Sequence, residues 1–340
     1  MYIMMRMILK IVIYAVCGIV ALIAVVCAVL GYKFYVQLKD GGKVVEWNDA
    51  EGTTYRNLKY GGGTRNTYNL VIPTDKQPDA LMLFLHGGSW TDGEKEDMEY
   101  EVHRYAKMGY ATATMNYSRL GKDTLAADVP YASPCFESMM HEIDACIKAI
   151  KAKGAELGCD FKQMAIGGYS AGGHLAMLYA TRFATTSPIP LKFQISWVGP
   201  SDIGLLFPTD EVIVERIVSG DMSDEVVTQR QELKNFIQSI NGQVLADDDC
   251  SLENLNHLKQ KASPLYYVSV ATPPAILAYG GKDGLVVAEH GKRMADALQK
   301  SGVDCTLVVF PNSGHELGQD KECTQSVIDA VTRFCDKYFD

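Results

Sequence analysis

The chain has 340 residues, of which 47% are apolar and 21% carry a charge. This composition describes a globular protein with a sizeable core, and it excludes a disordered chain, a collagen-like chain and a small disulfide-stapled scaffold. The formal net charge is −9 at neutral pH, which makes the chain a poor binder of polyanions, so we expect no nucleic-acid partner.

A long apolar segment lies near the start of the chain. Residues 11–30 contain no charged side chain, and as a helix they would reach about 30 Å, the thickness of a bilayer core. We therefore expect residues 1–40 to form a membrane anchor and linker, followed by a domain at 41–340. A cleaved secretory signal is the alternative, although such signals have a shorter apolar region. We favour a domain outside the cytoplasm, although basic residues on both sides of the segment leave its orientation open.

The rest of the chain alternates short β-rich runs with longer segments of helical period. This alternation is typical of an α/β protein, in which a mostly parallel sheet has helices on both faces. The run 81–85 is apolar throughout, as expected of a central strand. The predicted strands span residues 43–47, 53–60, 68–72, 81–85, 111–115, 164–167, 192–197, 275–279 and 306–310, with a glycine turn at 61–63 and helices at 139–150, 173–182 and 324–339.

A loop with two glycines follows the predicted central strand. Its sequence is His86-Gly87-Gly88-Ser89-Trp90. The glycines leave backbone N–H groups unobstructed, and the tetrahedral intermediate of acyl transfer needs such donors around its negative oxygen. We therefore predict an oxyanion-binding loop here rather than a simple turn.

A candidate nucleophile lies between the strand predicted at 164–167 and the helix predicted at 173–182. The segment Gly168-Tyr169-Ser170-Ala171-Gly172 matches the pattern G-x-S-x-G. A serine is a weak nucleophile unless a sharp strand-to-helix turn presents its Oγ to a base, and flanking glycines permit that turn. The position of the motif predicts that Ser170 is the nucleophile.

Residues 203–262 interrupt the alternation. About sixty residues with many carboxylates and a helical pattern separate two predicted strands, so we interpret them as an inserted helical cap. Three aspartates at 247–249 raise the question of a calcium site. The ligand spacing of an EF-hand is missing, which favours a solvated acidic loop, and we expect no metal.

A candidate acid and a candidate base follow the last two predicted strands. Asp283 lies in the loop after 275–279, and His315 lies in the loop after 306–310. Their order after the serine is that of an α/β-hydrolase, and open α/β sheets place their active sites in such loops. Asp202 is the alternative acid. His86 and His174 lie near the motifs, but we expect them to support the loop and the helix rather than to act as the base.

The cysteines do not indicate a metal site. Seven of the nine lie outside residues 11–30, and none forms a CxxC pair, so we expect most to be small buried residues. If the domain is exported, a bridge from Cys323 to Cys335 or from Cys135 to Cys146 remains open.

These motifs together resemble a known family. The chain is similar to serine esterases of the α/β-hydrolase superfamily, in the branch of hormone-sensitive-lipase-like and feruloyl or acetyl-xylan esterase-like (BD-FAE-like) enzymes. The resemblance covers about 230 residues and rests on the motifs at 86–90 with 92–93, 116–117, 168–175, 263–265, 280–286 and 313–315.

The resemblance implies a role for each matching residue. Ser170 would be the nucleophile, His315 the base and Asp283 the acid. The oxyanion hole would be formed by the backbone N–H groups of Gly87, Gly88 and Ala171. The side chains that would support it are those of His86, Trp90 and His174. The chain departs from the family at Ser89, Tyr169 and Glu316, and the resemblance explains neither the anchor nor the acidic cap.

The motifs predict a hydrolase of carboxylic esters that works through an acyl-enzyme without metal or organic cofactor. Short acyl groups on a carbohydrate or small alcohol are the expected substrates by resemblance, so the expected partners are a small-molecule or glycan ester and, through residues 11–30, a lipid bilayer. An amide hydrolase with the same triad, such as a formamidase or peptidase, is one alternative. A surface-binding module without catalytic activity is the other.

Overall fold

A computed structural model describes residues 43–74, 76–127, 129–208, 210–242 and 251–339. The predicted anchor at 11–30 and the acidic run at 247–249 lie outside these residues. Within the described ranges, every helix is too short or too polar to span a bilayer.

The described residues form one eight-stranded sheet with the order β1-β2-β4-β3-β5-β6-β7-β8. The first two pairings, β1 with β2 and β2 with β4, are antiparallel, and all the others are parallel. The strands are β1 Gly52–Lys59, β2 Thr67–Pro73, β3 Ala80–Leu85, β4 Ala111–Met115, β5 Gln163–Tyr169, β6 Leu191–Trp197, β7 Ala275–Gly280 and β8 Cys305–Phe310.

Helices connect the parallel strands. They are α1 Glu99–Lys107, α2 Phe136–Glu156, α3 Ala171–Phe183, α4 Ile203–Leu206, α5 Glu211–Val218, α6 Asp224–Asn241, α7 Leu252–Lys261, α8 Glu289–Lys300 and α9 Lys321–Tyr338, with single 3₁₀ turns at Lys95–Met98 and Pro264–Tyr267.

The central strand β3 shows why helices cover both faces of the sheet. All six of its residues are buried. Leu81, Leu83 and Leu85 belong to the apolar core with α2 and α3, whereas Met82 and Phe84 belong to the core with α1 and α9 on the opposite face. Successive side chains of a strand point to opposite faces, so a continuous apolar run requires a helix layer on each side. The mostly parallel α/β sheet predicted from the sequence is confirmed.

One predicted strand is wrong. Residues 43–47 form no strand and pair with no neighbour in the described sheet. Their side chains hold the segment instead: the ring of Trp47 stacks on that of His103 in α1 at 4.7 Å, and Lys43 forms an ion pair with Glu316. The segment is held by side-chain contacts rather than by backbone hydrogen bonds. Its β-rich composition was therefore misleading as a sign of a strand. The other eight predicted strands match the observed strands to within a few residues.

The segment between β6 and β7 is helical where the structure describes it. It contains α4, α5, α6 and α7, and apolar residues of these helices, such as Val214, Ile237 and Leu255, join the core that contains α2. The assignment of 203–262 as a separate cap stays a prediction.

The two disulfides considered from the sequence are absent. Cys135, Cys146, Cys323 and Cys335 are all free thiols. Cys323 and Cys335 lie in α9, where twelve positions along a helix correspond to a rise of about 18 Å. Cys135 caps α2 and Cys146 lies eleven positions further along it. Both separations far exceed the span of a disulfide, which bridges Cα atoms about 4.4 to 6.8 Å apart.

Candidate active site

The candidate nucleophile lies in a sharp turn between β5 and α3. Ser170 is the residue at the turn and has φ 53° and ψ −117°, a sparsely populated conformation that costs roughly 1 to 3 kcal/mol. The close packing around it requires glycines. A Cβ on Gly168 would lie 2.3 Å from the carbonyl carbon of Gly172, and a Cβ on Gly172 would lie 2.1 Å from the carbonyl oxygen of Leu85.

The structure brings three of the predicted residues together in a line of hydrogen bonds. Oγ of Ser170 lies 2.9 Å from Nε2 of His315, and Nδ1 of His315 lies 2.7 Å from Oδ2 of Asp283. β5, β7 and β8 are all parallel, so the loops that follow them meet at one edge of the sheet. Because a carboxylate only accepts, Nδ1 of His315 carries the proton, and Nε2 is left to accept from the serine hydroxyl.

The second oxygen of Asp283 is also occupied. Oδ1 accepts hydrogen bonds from the N–H groups of Leu285 at 2.8 Å and Val286 at 3.0 Å. Burial alone would raise the pKa of Asp283, but the hydrogen bonds from His315 and from these two N–H groups lower it below its usual value. The carboxylate is therefore ionised and fixed in orientation beside the imidazole.

The alternative acid, Asp202, has a different place. Its Oδ1 accepts from the N–H of Gly204 at 2.9 Å at the start of α4, and its Oδ2 pairs with Arg293 at 2.6 Å. Asp202 therefore caps a helix and forms an ion pair with Arg293. Its carboxylate makes no hydrogen bond to His315.

The glycine-containing loop adjoins the serine. Gly88, Ser89 and Trp90 have positive φ angles of 106°, 51° and 61°, which turn the chain sharply after β3. A Cβ on Gly87 would lie 3.3 Å from the Cβ of Ser170. Within the described part of the chain, no acceptor takes a hydrogen bond from the N–H groups of Gly87, Gly88 or Ala171, so these donors are available to a bound group.

His86 and His174 are both buried supports rather than parts of the hydrogen-bonded line. His86 stacks on Tyr117 at 4.2 Å, and its Nδ1 lies 2.7 Å from the carbonyl oxygen of Gly87. His174 accepts from Nε1 of Trp90 at 3.2 Å and donates from Nε2 to the carbonyl of Ala262 at 2.7 Å. Burial lowers the pKa of each histidine to about 4, so both rings are neutral near pH 7.

Tyr169 and Lys43 make contacts around His315 that the sequence did not predict. The hydroxyl of Tyr169 donates to the carbonyl oxygen of His315, and Nζ of Lys43 lies 4.2 Å from the centre of the Tyr169 ring. Lys43 also pairs with Glu316, the residue after His315. No motif contains Lys43, so the sequence offers no signal for this contact.

Two cavities meet at Ser170. One has a volume of about 490 Å³ and is mostly apolar, while the other has a volume of about 390 Å³ and carries charged and phenolic groups. Ser89, Ser170 and Leu285 line both. The apolar cavity is further lined by Trp90, Leu120, Phe136, Leu206, Phe207 and Phe236, and the polar cavity by Lys43, Asp97, Tyr100, Tyr169, His315 and Glu316.

The described residues also bear on whether the site could hold a metal ion. Across the described ranges, no three or more histidine, cysteine or carboxylate side chains converge as a metal site would require. The groups that converge on Ser170 are those of nucleophilic catalysis.

Residues 69–298 match the model of the BD-FAE family. The chain belongs to the BD-FAE family. The family resemblance inferred from the motifs is thereby confirmed, and the match covers the glycine-containing loop, Ser170 and Asp283, while His315 lies beyond its end.

Curated relatives of this BD-FAE chain are similar over most of its length. It is 30% identical over 264 residues to a probable isoprenylcysteine alpha-carbonyl methylesterase, ICME, of Oryza sativa subsp. japonica, which covers 76% of this chain and 57% of that protein. It is 22% identical over 248 residues to Esterase LipC of Mycobacterium tuberculosis, covering 72% of this chain and 54% of that protein. The chain thus spans somewhat more than half the length of these relatives.

Solved structures confirm the α/β-hydrolase fold of this BD-FAE protein. A truncated form of a carbohydrate esterase from gut microbiota superimposes with a TM-score of 0.61 at 16% identity, covering 85% of this chain and 98% of that one. Esterase B from Lactobacillus rhamnosis superimposes with a TM-score of 0.59 at 16% identity, covering 92% and 94%.

Proposed function

We propose that this chain hydrolyses carboxylic esters, with Ser170 as nucleophile, His315 as general base and acid, and Asp283 as the group that orients His315. The line of hydrogen bonds at 2.9 Å and 2.7 Å is the observation that carries the proposal. Free N–H groups beside Ser170 and relatives named as esterases support it.

The reaction follows from these positions. Oγ of Ser170 attacks the ester carbonyl carbon while its proton moves to Nε2 of His315, and Asp283 stabilises the imidazolium. The negative oxygen of the tetrahedral intermediate accepts from the N–H groups of the oxyanion loop and Ala171. The C–O bond to the alcohol then breaks as Nε2–H protonates the leaving oxygen. Water attacks the acyl-enzyme by the same route and releases the acid, so each step uses groups of this chain and water.

The two cavities give the substrate an orientation. The group that protonates the alcohol must reach its oxygen, and His315 lines the polar cavity but not the apolar one. The alcohol therefore occupies the cavity with Lys43, Tyr100 and Glu316, and the acyl chain occupies the apolar cavity. A polar alcohol site is in keeping with a carbohydrate or small alcohol, and we propose short acyl groups as the first choice.

Hydrolysis of p-nitrophenyl acetate, butyrate and octanoate by the full chain and by Ser170→Ala tests the proposal. We expect activity that decreases from acetate or butyrate to octanoate and that is lost in the variant while its circular dichroism is unchanged. Equal rates for the two proteins would contradict the assignment of Ser170. A faster reaction with an aryl formamide than with the acetate would favour an amide hydrolase.

The same proposal places the enzyme at a membrane through residues 11–30, with its domain outside the cytoplasm. The support is the charge-free apolar run in the sequence. Extraction of the full chain from a membrane fraction by detergent but not by high salt is the expected result. Release by salt alone, or a mature protein that begins after this run, would contradict the anchor.

A further inference from the structure

Arg65 is a buried cation directly beneath the oxyanion loop. It lies in the turn between β1 and β2, only 8% exposed, before the first residue matched by the family model. Its Nε donates to the carbonyl of Tyr117 at 2.9 Å, one terminal nitrogen donates to Glu94 at 2.6 Å, and the other donates to the carbonyl of Gly93. A planar guanidinium with five donors in a fixed geometry can join acceptors of two loops, the one after β3 and the one after β4, better than an ammonium group can.

The same guanidinium reaches His86. Its second terminal nitrogen lies 3.3 Å from Nε2 of His86. A guanidinium has no acceptor, so Nε2 of the histidine accepts and the ring proton lies on Nδ1. Nδ1–H then donates to the carbonyl oxygen of Gly87 at 2.7 Å. Both partners therefore favour the Nδ1–H tautomer of His86, because Arg65 can only donate to Nε2 and the carbonyl of Gly87 can only accept from Nδ1.

The carbonyl of Gly87 belongs to the peptide unit that carries the N–H of Gly88. In a planar trans peptide the C=O and the N–H point in opposite directions. When Nδ1–H of His86 holds the carbonyl on the buried side, the N–H is directed to the other side, where Gly88 and Ser170 line the same cavity. The hydroxyl of Tyr117 adds a longer contact of 3.4 Å to the same carbonyl.

We propose that Arg65 is a positioning residue for catalysis: it holds His86 in the Nδ1–H tautomer and thereby aims the N–H of Gly88 at the oxyanion. This inference rests on the proposed ester hydrolysis. Loss of Arg65 lets His86 take the other tautomer, whose unprotonated Nδ1 would face the carbonyl oxygen of Gly87 and repel it. The Gly87–Gly88 peptide then loses its fixed orientation.

The kinetic test compares Arg65→Lys and Arg65→Gln with the matched control Arg119→Gln. Arg119 also contacts Glu94, at 3.6 Å, and Asp123, at 2.9 Å, but it makes no hydrogen bond to His86. For both Arg65 variants we expect kcat to fall by about tenfold to a hundredfold with little change in KM, less than the roughly 10² to 10³ lost when an oxyanion donor is deleted. The control is expected to stay within about threefold of wild type, because ion pairs of a partly exposed side chain at the surface contribute little. An unchanged kcat in Arg65→Gln, or a loss confined to KM, would overturn the proposal.

The tautomer itself is measured by nitrogen-15 NMR of the histidine rings in the full chain, with His86 assigned by comparison with His86→Gln. The expected spectrum shows a protonated Nδ1 and an unprotonated Nε2 in the wild type, and a mixture of tautomers in Arg65→Gln. A wild-type His86 with its proton on Nε2 would overturn the proposal even if the Arg65 variants did not fold. This readout needs no substrate, so it separates a failure of the Arg65 proposal from a failure of the proposed ester hydrolysis.

Discussion

The Nε1–H of Trp90 donates to Nδ1 of His174 at 3.2 Å, and the two residues are 84 positions apart in the chain. Trp90 belongs to the loop after β3, whereas His174 belongs to the helix after Ser170. His174 in turn donates to the carbonyl of Ala262 at the end of α7. One buried imidazole therefore joins the glycine-containing loop after β3, the helix α3 that follows Ser170, and the end of α7.

Removal of this hydrogen bond tests that connection. Trp90→Phe keeps an aromatic ring but leaves Nδ1 of His174 buried without its donor, which costs about 1 to 3 kcal/mol. We expect a lower urea midpoint and a lower kcat. Trp47→Phe is the matched control, because Nε1 of Trp47 has no hydrogen-bond partner in the described chain. A stability loss no larger than that of the control would show that the contact contributes nothing.

Asp283 and Asp202 make a second matched pair. Asp283→Asn removes the charge that stabilises the imidazolium and reverses the preferred tautomer of His315, so we expect kcat to fall by about 10³- to 10⁴-fold. Asp202→Asn weakens the cap of α4 and the pair with Arg293, so we expect reduced stability with kcat retained. Ester hydrolysis measured under saturating substrate checks both. If Asp202→Asn were inactive and Asp283→Asn active, Asp202 rather than Asp283 would be the acid.

The apolar cavity should determine acyl specificity. Ser239 lines this cavity from α6, and Ser239→Phe would fill part of its volume of about 490 Å³. We expect kcat/KM for p-nitrophenyl octanoate to fall at least about tenfold relative to the acetate. Ser239→Ala removes only the hydroxyl and should leave the chain-length profile as it is. A uniform decrease across all esters in Ser239→Phe would place the acyl chain elsewhere.

Three buried histidines predict the pH dependence of stability. Burial lowers the pKa values of His86, His174 and His290 to about 4, from an ordinary value of 6.5. Between pH 6.5 and 4 the unfolded chain therefore binds more protons than the folded chain, so the free energy of unfolding decreases as the pH falls. Each such site contributes a slope of up to about 1.4 kcal/mol per pH unit.

Urea denaturation at pH 5 and pH 7 measures this effect. We expect a clearly lower free energy of unfolding at pH 5, and a smaller difference between the two pH values in His174→Gln. Equal stability of the wild type at both pH values would mean that the three imidazoles are not held neutral.

The sequence predicts most of the fold because the strands carry a strong local signal. The all-apolar run in β3 and the motifs in the loops after β5, β7 and β8 can be recognised from the local sequence, without information on contacts between distant residues. Residues 43–47 were wrongly predicted as a strand because composition alone does not show whether a backbone has a partner. The Cys323–Cys335 bridge left open by the sequence is incompatible with the helix predicted at 324–339, because a helix of that length holds its two ends too far apart for a disulfide.

The residues of the candidate site likewise fall into those that the sequence predicts and those that it does not. Ser170, Asp283 and His315 lie in motifs whose order and position after strands are visible in the chain. Arg65 and Lys43 act through contacts with residues that are distant in sequence, and no pattern of residue types indicates such pairs. The sequence already favoured Asp283 over Asp202, and the hydrogen bonds distinguish the two directly, because Asp283 contacts His315 whereas Asp202 pairs with Arg293.

The proposed ester hydrolysis depends above all on Ser170 as a nucleophile that His315 activates. The most direct measurement is to treat the full chain with a fluorophosphonate probe and locate the adduct by mass spectrometry of its peptides. We expect one adduct, on Ser170, that forms in the wild type, is absent in Ser170→Ala and forms much more slowly in His315→Ala. A folded wild-type protein without an adduct, or with its adduct on another residue, would contradict it.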